Sequence, residues 1–278
     1  AKWSPYHGAA YAVVDACAKV VAAGARYDKM RYSYQEYFER MNSETSWGKP
    51  LTALLGALKM QVEMGWPSIG GKDSMSGTFQ DINVPPMLMA FGITTVDART
   101  VISPEFKAAG HKLYMIKHTP LANYMPDTDQ LKRNFDFVSS AIEQGKIVAA
   151  YAVGFGGVVE AVAKMSFGNC IGADVKMDEQ ALFDYAYGSF VVEAAKDHAL
   201  HMLGLKTDNL IELTYAERKR VHNLKYYTWV EQQQMDVEDL NAQWYDTKGT
   251  WDAVHAQYKE MDELINEFNE ATGLLKNL

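Results

Sequence analysis

Cysteine is nearly absent from this chain of 278 residues. Cys17 and Cys170 are the only two, too few for a disulfide framework, and neither has the CxxC partner or spacing of a metal site. Both read as buried free thiols. Long apolar runs are missing as well. The longest, Ile147 to Val159, includes three glycines and falls short of the ~20 residues that span a bilayer. The start of the sequence shows no basic, then apolar, then small-residue leader, so a cytoplasmic protein without a membrane partner is expected. Positive charge is in deficit, with 27 Lys and Arg against 35 Asp and Glu and a net charge of −8, which argues against nucleic acid as a partner. Proline stops at Pro126. From His198 onward there is none, together with three glycines, eight basic and fourteen acidic residues, and this tail reads as almost entirely helical.

What remains is ordinary globular composition, 48% hydrophobic and 22% charged, in a chain long enough for about two domains. Ala- and Val-rich spacing predicts a buried helix over Tyr6 to Ala23, ending at Gly24, with Asp15 and Lys19 one turn apart. A second helix is expected over Leu51 to Met64, stopped by Gly65 and Trp66-Pro67, and Gly70 and Gly71 then open a flexible loop. Strands are expected over Val84 to Val96, Lys112 to Lys117 and Phe190 to Glu193, and helices over Leu131 to Gln144 and Val158 to Met165. Such alternation argues for an α/β or α+β architecture. In the tail, Trp251, Val254, Tyr258, Met261, Leu264, Ile265 and Phe268 follow helical spacing and predict an amphipathic helix.

Residues 70–77 read Gly-Gly-Lys-Asp-Ser-Met-Ser-Gly. Glycines let backbone N–H groups approach an anion, Lys72 offers a compact positive charge, and Ser74 and Ser76 can donate to phosphate oxygens. Asp73 can hold Mg²⁺. The spacing is not that of a P-loop, and a plain glycine-rich turn is the competing reading.

This stretch, followed by Thr78-Phe79-Gln80-Asp81, Val84-Pro85-Pro86 and Ser103-Pro104-Glu105-Phe106-Lys107, resembles phosphoribosylformylglycinamidine synthase (FGAM synthase). Pro5-Tyr6-His7-Gly8-Ala9-Ala10, Gln35 to Arg40 and Trp47-Gly48-Lys49-Pro50 upstream, with Gly156-Gly157, Phe167-Gly168-Asn169 and Tyr187-Gly188-Ser189 downstream, extend the resemblance over about residues 1–196. It implies an ATP- and glutamine-dependent amidation of formylglycinamide ribonucleotide in purine synthesis, with Mg-ATP as cofactor. It also implies an AIR-synthase-like barrel-forming α/β domain over residues 1–108 and a truncated companion α/β domain over 109–197, followed by a helical segment over 198–278. Gly71, Lys72, Asp73, Ser74 and Ser76 are then the expected phosphate-binding residues, with Asp15 and Asp73 as metal candidates.

The departures bear on activity. The family's first half, with its catalytic histidine motif, and its glutaminase domain have no counterpart here, so the chain is not expected to complete the reaction without partner halves or a homodimer imitating them. Where larger members bind Mg²⁺ and an auxiliary nucleotide, this sequence offers Asp15 with Lys19 and Ala152 with Gly154. Protonated lysine and alanine cannot ligate a cation, so an i,i+4 ion pair and a plain strand-to-helix turn are expected instead. The tail, from Thr207 through Gln233 and over Asn266 to Leu274, resembles the C-terminus of cysteine-synthase-like proteins that use pyridoxal phosphate. No Schiff-base lysine motif accompanies it in residues 1–197, so that cofactor is not expected. Two alternatives to a synthase fragment stand: a non-catalytic assembly or interaction module, and, behind it, a pyridoxal-phosphate enzyme fragment.

Overall fold

The computed structural model describes residues 1–195 and 210–213, all within one compact unit, Ala1–His222. The expected amphipathic helix over 251–268 and the aromatic stretch 226–229 lie outside the described residues.

Ser4 starts α1 (Pro5–Ala22) by accepting the His7 N–H at 3.4 Å, and Pro5 occupies the first turn, where its missing N–H leaves nothing unpaired. Its small residues Ala9, Ala10, Val13, Val14, Cys17, Ala18 and Val21 are buried, and Gly24, at φ +103°, turns the chain in a conformation that other residues avoid. β1 (Arg31–Tyr37) follows, then α2 (Glu44–Met64). α2 begins before the expected Leu51 because Ser43 and Ser46 form a reciprocal capping box ahead of Pro50, which the helix incorporates.

β2 (Ser68–Ser74) replaces the expected flexible loop. It pairs in parallel with β1, which supplies the ladder that glycines alone do not predict. A small hairpin of β3 (Thr78–Phe79) and β4 (Ile82–Asn83) leads to β5 (Met87–Ile93), antiparallel to β1 on its other side, giving the sheet order β2-β1-β5. β1 alternates, with Tyr32, Tyr34 and Glu36 turned inward toward α1, where the Tyr32 hydroxyl donates to the Val13 carbonyl at 3.0 Å.

The second sheet is built from β6 (Lys112–Ile116), β7 (Ile147–Ala152), β8 (Phe190–Ala194) and β9 (Leu210–Leu213), in the order β7-β8-β6-β9 and wholly antiparallel. α3 (Thr128–Glu143), α4 (Gly157–Phe167) and the short α5 (Glu179–Phe183) complete the described chain. β9 corrects the reading of the tail: part of it is a strand, and it covers the β6 edge that the truncated companion domain would otherwise leave open. Strand alternation divides this sheet between two cores. Tyr114, Ile116, Phe190 and Val192 face the core shared with α1, β1, α2 and α3, whereas Leu113, Met115, Val191 and Leu213 face a second core with Val158, Ala161 and Met165 of α4. Among the described residues no helix is long and apolar enough to cross a membrane.

Candidate functional site

The five residues expected to bind phosphate do not converge as a loop would make them. β2 is an edge strand whose ladder runs Tyr34 with Gly71, Gln35 with Lys72, Glu36 with Asp73 and Tyr37 with Ser74. Residues paired this way share a face, so Lys72 and Ser74 stand on the open side of the sheet, and Gly71 and Asp73 on the side where β1 buries Tyr34 and Glu36, although both are themselves exposed. Gly71 is required by the close approach of β1, since a Cβ there would sit 2.7 Å from the Tyr34 carbonyl oxygen. Ser76 lies just past the strand, exposed, in the turn where Gly77 donates to Phe38 O at 2.9 Å. Lys72 is exposed and makes no ion pair among the described residues.

The covered side brings forward a residue not singled out from the sequence. Glu36 is 0% exposed, and among the described residues neither of its carboxylate oxygens has a hydrogen-bond partner. Burial, then the Asp73 carboxyl on the paired strand, pushes it up to about 8. Two positions earlier on the same face, the Tyr34 hydroxyl is also buried and unpartnered, and burial raises its pKa. The signal was in the sequence: Tyr32, Tyr34 and Glu36 alternate with polar neighbours, so the period that buries two tyrosines buries a glutamate with them.

Asp15 lies elsewhere. It lines a cleft of about 740 Å³ with Tyr11, His118, Phe155, Tyr185 and Tyr187, and no residue of 70–77 takes part in that lining. Its Oδ2 is 2.6 Å from Lys19 Nζ, the expected i,i+4 ion pair, while Oδ1 is buried without a partner. β7 ends at Ala152, and the turn to α4 passes beside Asp15, with a Cβ at Gly154 falling 4.0 Å from Asp15 Oδ1. Gly157 adopts φ +69°, and Glu160 Oε2 accepts the Gly156 N–H at 2.9 Å, so a carboxylate holds the backbone donor that a phosphate would need. These residues do not fit a magnesium-bound auxiliary nucleotide: Asp15 is neutralised by Lys19, and Ala152 and Gly154 carry no ligand. Among the described residues no group of three or more His, Cys, Asp or Glu is gathered as a metal centre.

Cys17 is buried as expected, and burial holds its thiol well above the ordinary range, which makes it unreactive. Cys170 corrects its expectation: it is exposed, in a turn at φ +54°.

No family model matches the chain. Phosphoribosylformylglycinamidine synthase subunit PurL of Picrophilus torridus is 26% identical to it over 282 aligned positions, which take in 91% of this chain and 35% of that relative's length. That alignment covers more than residues 1–196 can supply, so it reaches into the tail. Structures of Thermotoga maritima PurL, complexed with FGAR and with ATP, superpose with TM-scores of 0.61 and 0.58 at 17% identity; they cover 77% of this chain and 40% and 38% of theirs. The hydrogenase maturation protein HypE superposes with a TM-score of 0.57 at 14% identity, over 75% of this chain and 73% of its own.

The described fold is therefore the mixed α/β, AIR-synthase-like architecture that PurL and HypE share. Proteins named PurL, the FGAM synthase subunit, are matched both in sequence and in fold. The chain spans about a third of the length of the P. torridus relative and is similar to a portion of it.

Proposed function

We propose that this chain is a portion of an FGAM-synthase-type C–N ligase of purine biosynthesis, which holds a phosphorylated substrate at β2 and needs further segments for turnover. The observation that carries this reading is Lys72, an exposed lysine on an edge strand with no ion pair among the described residues, in a Gly-Gly-Lys-Asp-Ser context within a PurL-like fold. Lys72, Ser74 and the following Ser76 supply the donors for a phosphate, and Gly70, which has no side chain, leaves the strand's backbone open on that side. ATP and FGAR, the ligands of the T. maritima protein, are the corresponding ligands here. A divalent ion accompanying ATP would neutralise its phosphates; the chain's own part is to bind and orient the substrate. Residues 1–108 and 109–197 act as the barrel-forming and companion domains of one such half.

Calorimetric titration of the chain with FGAR, with and without Mg-ATP, tests this. Saturable binding is expected, weakened in Lys72→Ala by the worth of a charged hydrogen bond, roughly 1.5 to 3 kcal/mol. Equal affinity in the variant would remove Lys72 from the site.

A second reading, a non-catalytic assembly module, is favoured by one feature. On the open face of the first sheet Met87, Met89, Phe91 and Ile93 are all exposed, beside Tyr37 and Ile69. An apolar row of this kind is characteristic of an interaction surface. The missing enzyme halves, or a second copy in their place, would cover it. Light scattering is expected to show a dimer that Phe91→Glu dissociates; a monodisperse monomer would count against a self-sufficient assembly module.

A further inference from the structure

Three buried polar atoms without partners sit at successive inward positions of β1: the Tyr34 hydroxyl and both carboxylate oxygens of Glu36. Buried carboxyls in folded proteins are hydrogen-bonded, paired with a cation, bound to a metal ion or held neutral, and even the neutral acid wants hydrogen-bond partners. This fold contains its own example of the first solution. Glu193, also 0% exposed, accepts the Lys107 and Ala108 N–H groups at 2.7 and 3.1 Å and pairs with His111 Nδ1 at 2.6 Å. Glu36 has none of these. Directly opposite it in the parallel ladder stands Asp73, and among the described residues neither carboxylate forms an ion pair. Lys72, the nearest cation in sequence to Asp73, belongs to the other face.

We propose that Glu36 and Asp73 bind a divalent cation between β1 and β2 on the face of the first sheet where β1 buries Tyr34, with the Tyr34 hydroxyl on the same face as an outer hydrogen-bonding partner. The donors are hard oxygens, which select Mg²⁺, Mn²⁺ or Ca²⁺ over softer metals. Two carboxylates are the protein share typical of Mg²⁺, which keeps waters or phosphate oxygens in its remaining positions. The ion would satisfy Glu36 and relieve its repulsion with Asp73. Asp73 on the edge strand provides the route to solvent, since Asp73 is exposed while Glu36 is not. The site does not rest on the substrate reading above, because it is defined without a nucleotide and on the opposite face from Lys72.

The test is a titration of the chelator-stripped full chain with MnCl₂, following free Mn²⁺ by electron paramagnetic resonance, with MgCl₂ as competitor and no nucleotide present. One competable Mn²⁺ per chain is expected. Glu36→Gln and Asp73→Asn should each weaken it by about 10- to 100-fold, with the exposed-site control Asp97→Asn unchanged. Unfolding transitions recorded in EDTA establish that each variant is folded; should Glu36→Gln fail there, Asp73→Asn, on the exposed edge, decides alone. No stoichiometric binding by the wild-type chain, or folded variants that bind as it does, would overturn the proposal. Loss of FGAR binding in Lys72→Ala would leave this result untouched, so the two readings fail separately.

Discussion

At the scale of single residues, the partners available decide whether a buried ionisable group is satisfied. Glu36 and Glu193 are equally buried, yet one faces a second carboxyl and the other three donors. His118 is a third case. Its Nδ1 lies 2.9 Å from the Tyr187 carbonyl, and its Nε2 accepts the Asp127 N–H at 3.1 Å, an arrangement that only the neutral Nδ1–H tautomer satisfies. Burial lowers its pKa below the ordinary 6.5, against the opposing pull of Tyr187 and Asp127. The unfolded chain therefore takes up the proton more readily than the folded one. Stability from this group is whole above pH 6.5 and is lost as the pH falls toward the lower folded value. Over this pH range Glu36, raised to about 8, acts in the opposite sense and stabilises the fold as the pH falls, so His118 is read by difference. The urea midpoint of the wild-type chain relative to that of His118→Gln should fall between pH 7.5 and 5.5, and a difference that does not change with pH would exonerate the histidine.

Among the elements, β2 is held by β1 alone and depends on one glycine for its approach. Gly71→Ala forces a methyl group to within 2.7 Å of the Tyr34 carbonyl oxygen, which the ladder can accommodate only by separating. Amide exchange over residues 68–74 should accelerate markedly in this variant, with β6 and β8 unaffected, and binding at both faces of β2 should weaken together. The helices α1, α3 and α4 and the strands β5, β6 and β8 were legible in the sequence, the helices by their apolar spacing and the strands as short apolar or β-branched runs. β2 was not. Ser-Ile-Gly-Gly-Lys-Asp-Ser has no such period and no strand propensity of its own, and it is extended because β1 lies beside it.

For the molecule as a whole, the second core is closed by a residue that the sequence places in its supposedly helical tail. Leu213 of β9 is fully buried opposite Leu113 and shares a core with Met115, Val158 and Met165. Leu213→Ala removes that packing and should destabilise the unit by roughly 2 to 5 kcal/mol in chemical denaturation. A change below about 1 kcal/mol would mean that β9 contributes little to the core.

Sequence alone carried a mixed α/β chain, the helical spacing of α1, α3 and α4, an ion pair one turn apart on α1, and, by resemblance, motifs that point to FGAM synthase over residues 1–196. All but the last follow from spacing along the chain, which short-range forces read directly; the last is a likeness of motifs. Tertiary structure decided the rest. Which side of β2 each candidate residue faces, that Glu36 is buried opposite Asp73 without a donor, and that a strand from the tail seals β6 all depend on which segments meet across the fold. A two-residue period puts Glu36 on one face with Tyr32 and Tyr34, but what covers that face and which residue stands opposite belong to the pairing of strands distant in sequence, and no spacing within one segment encodes them.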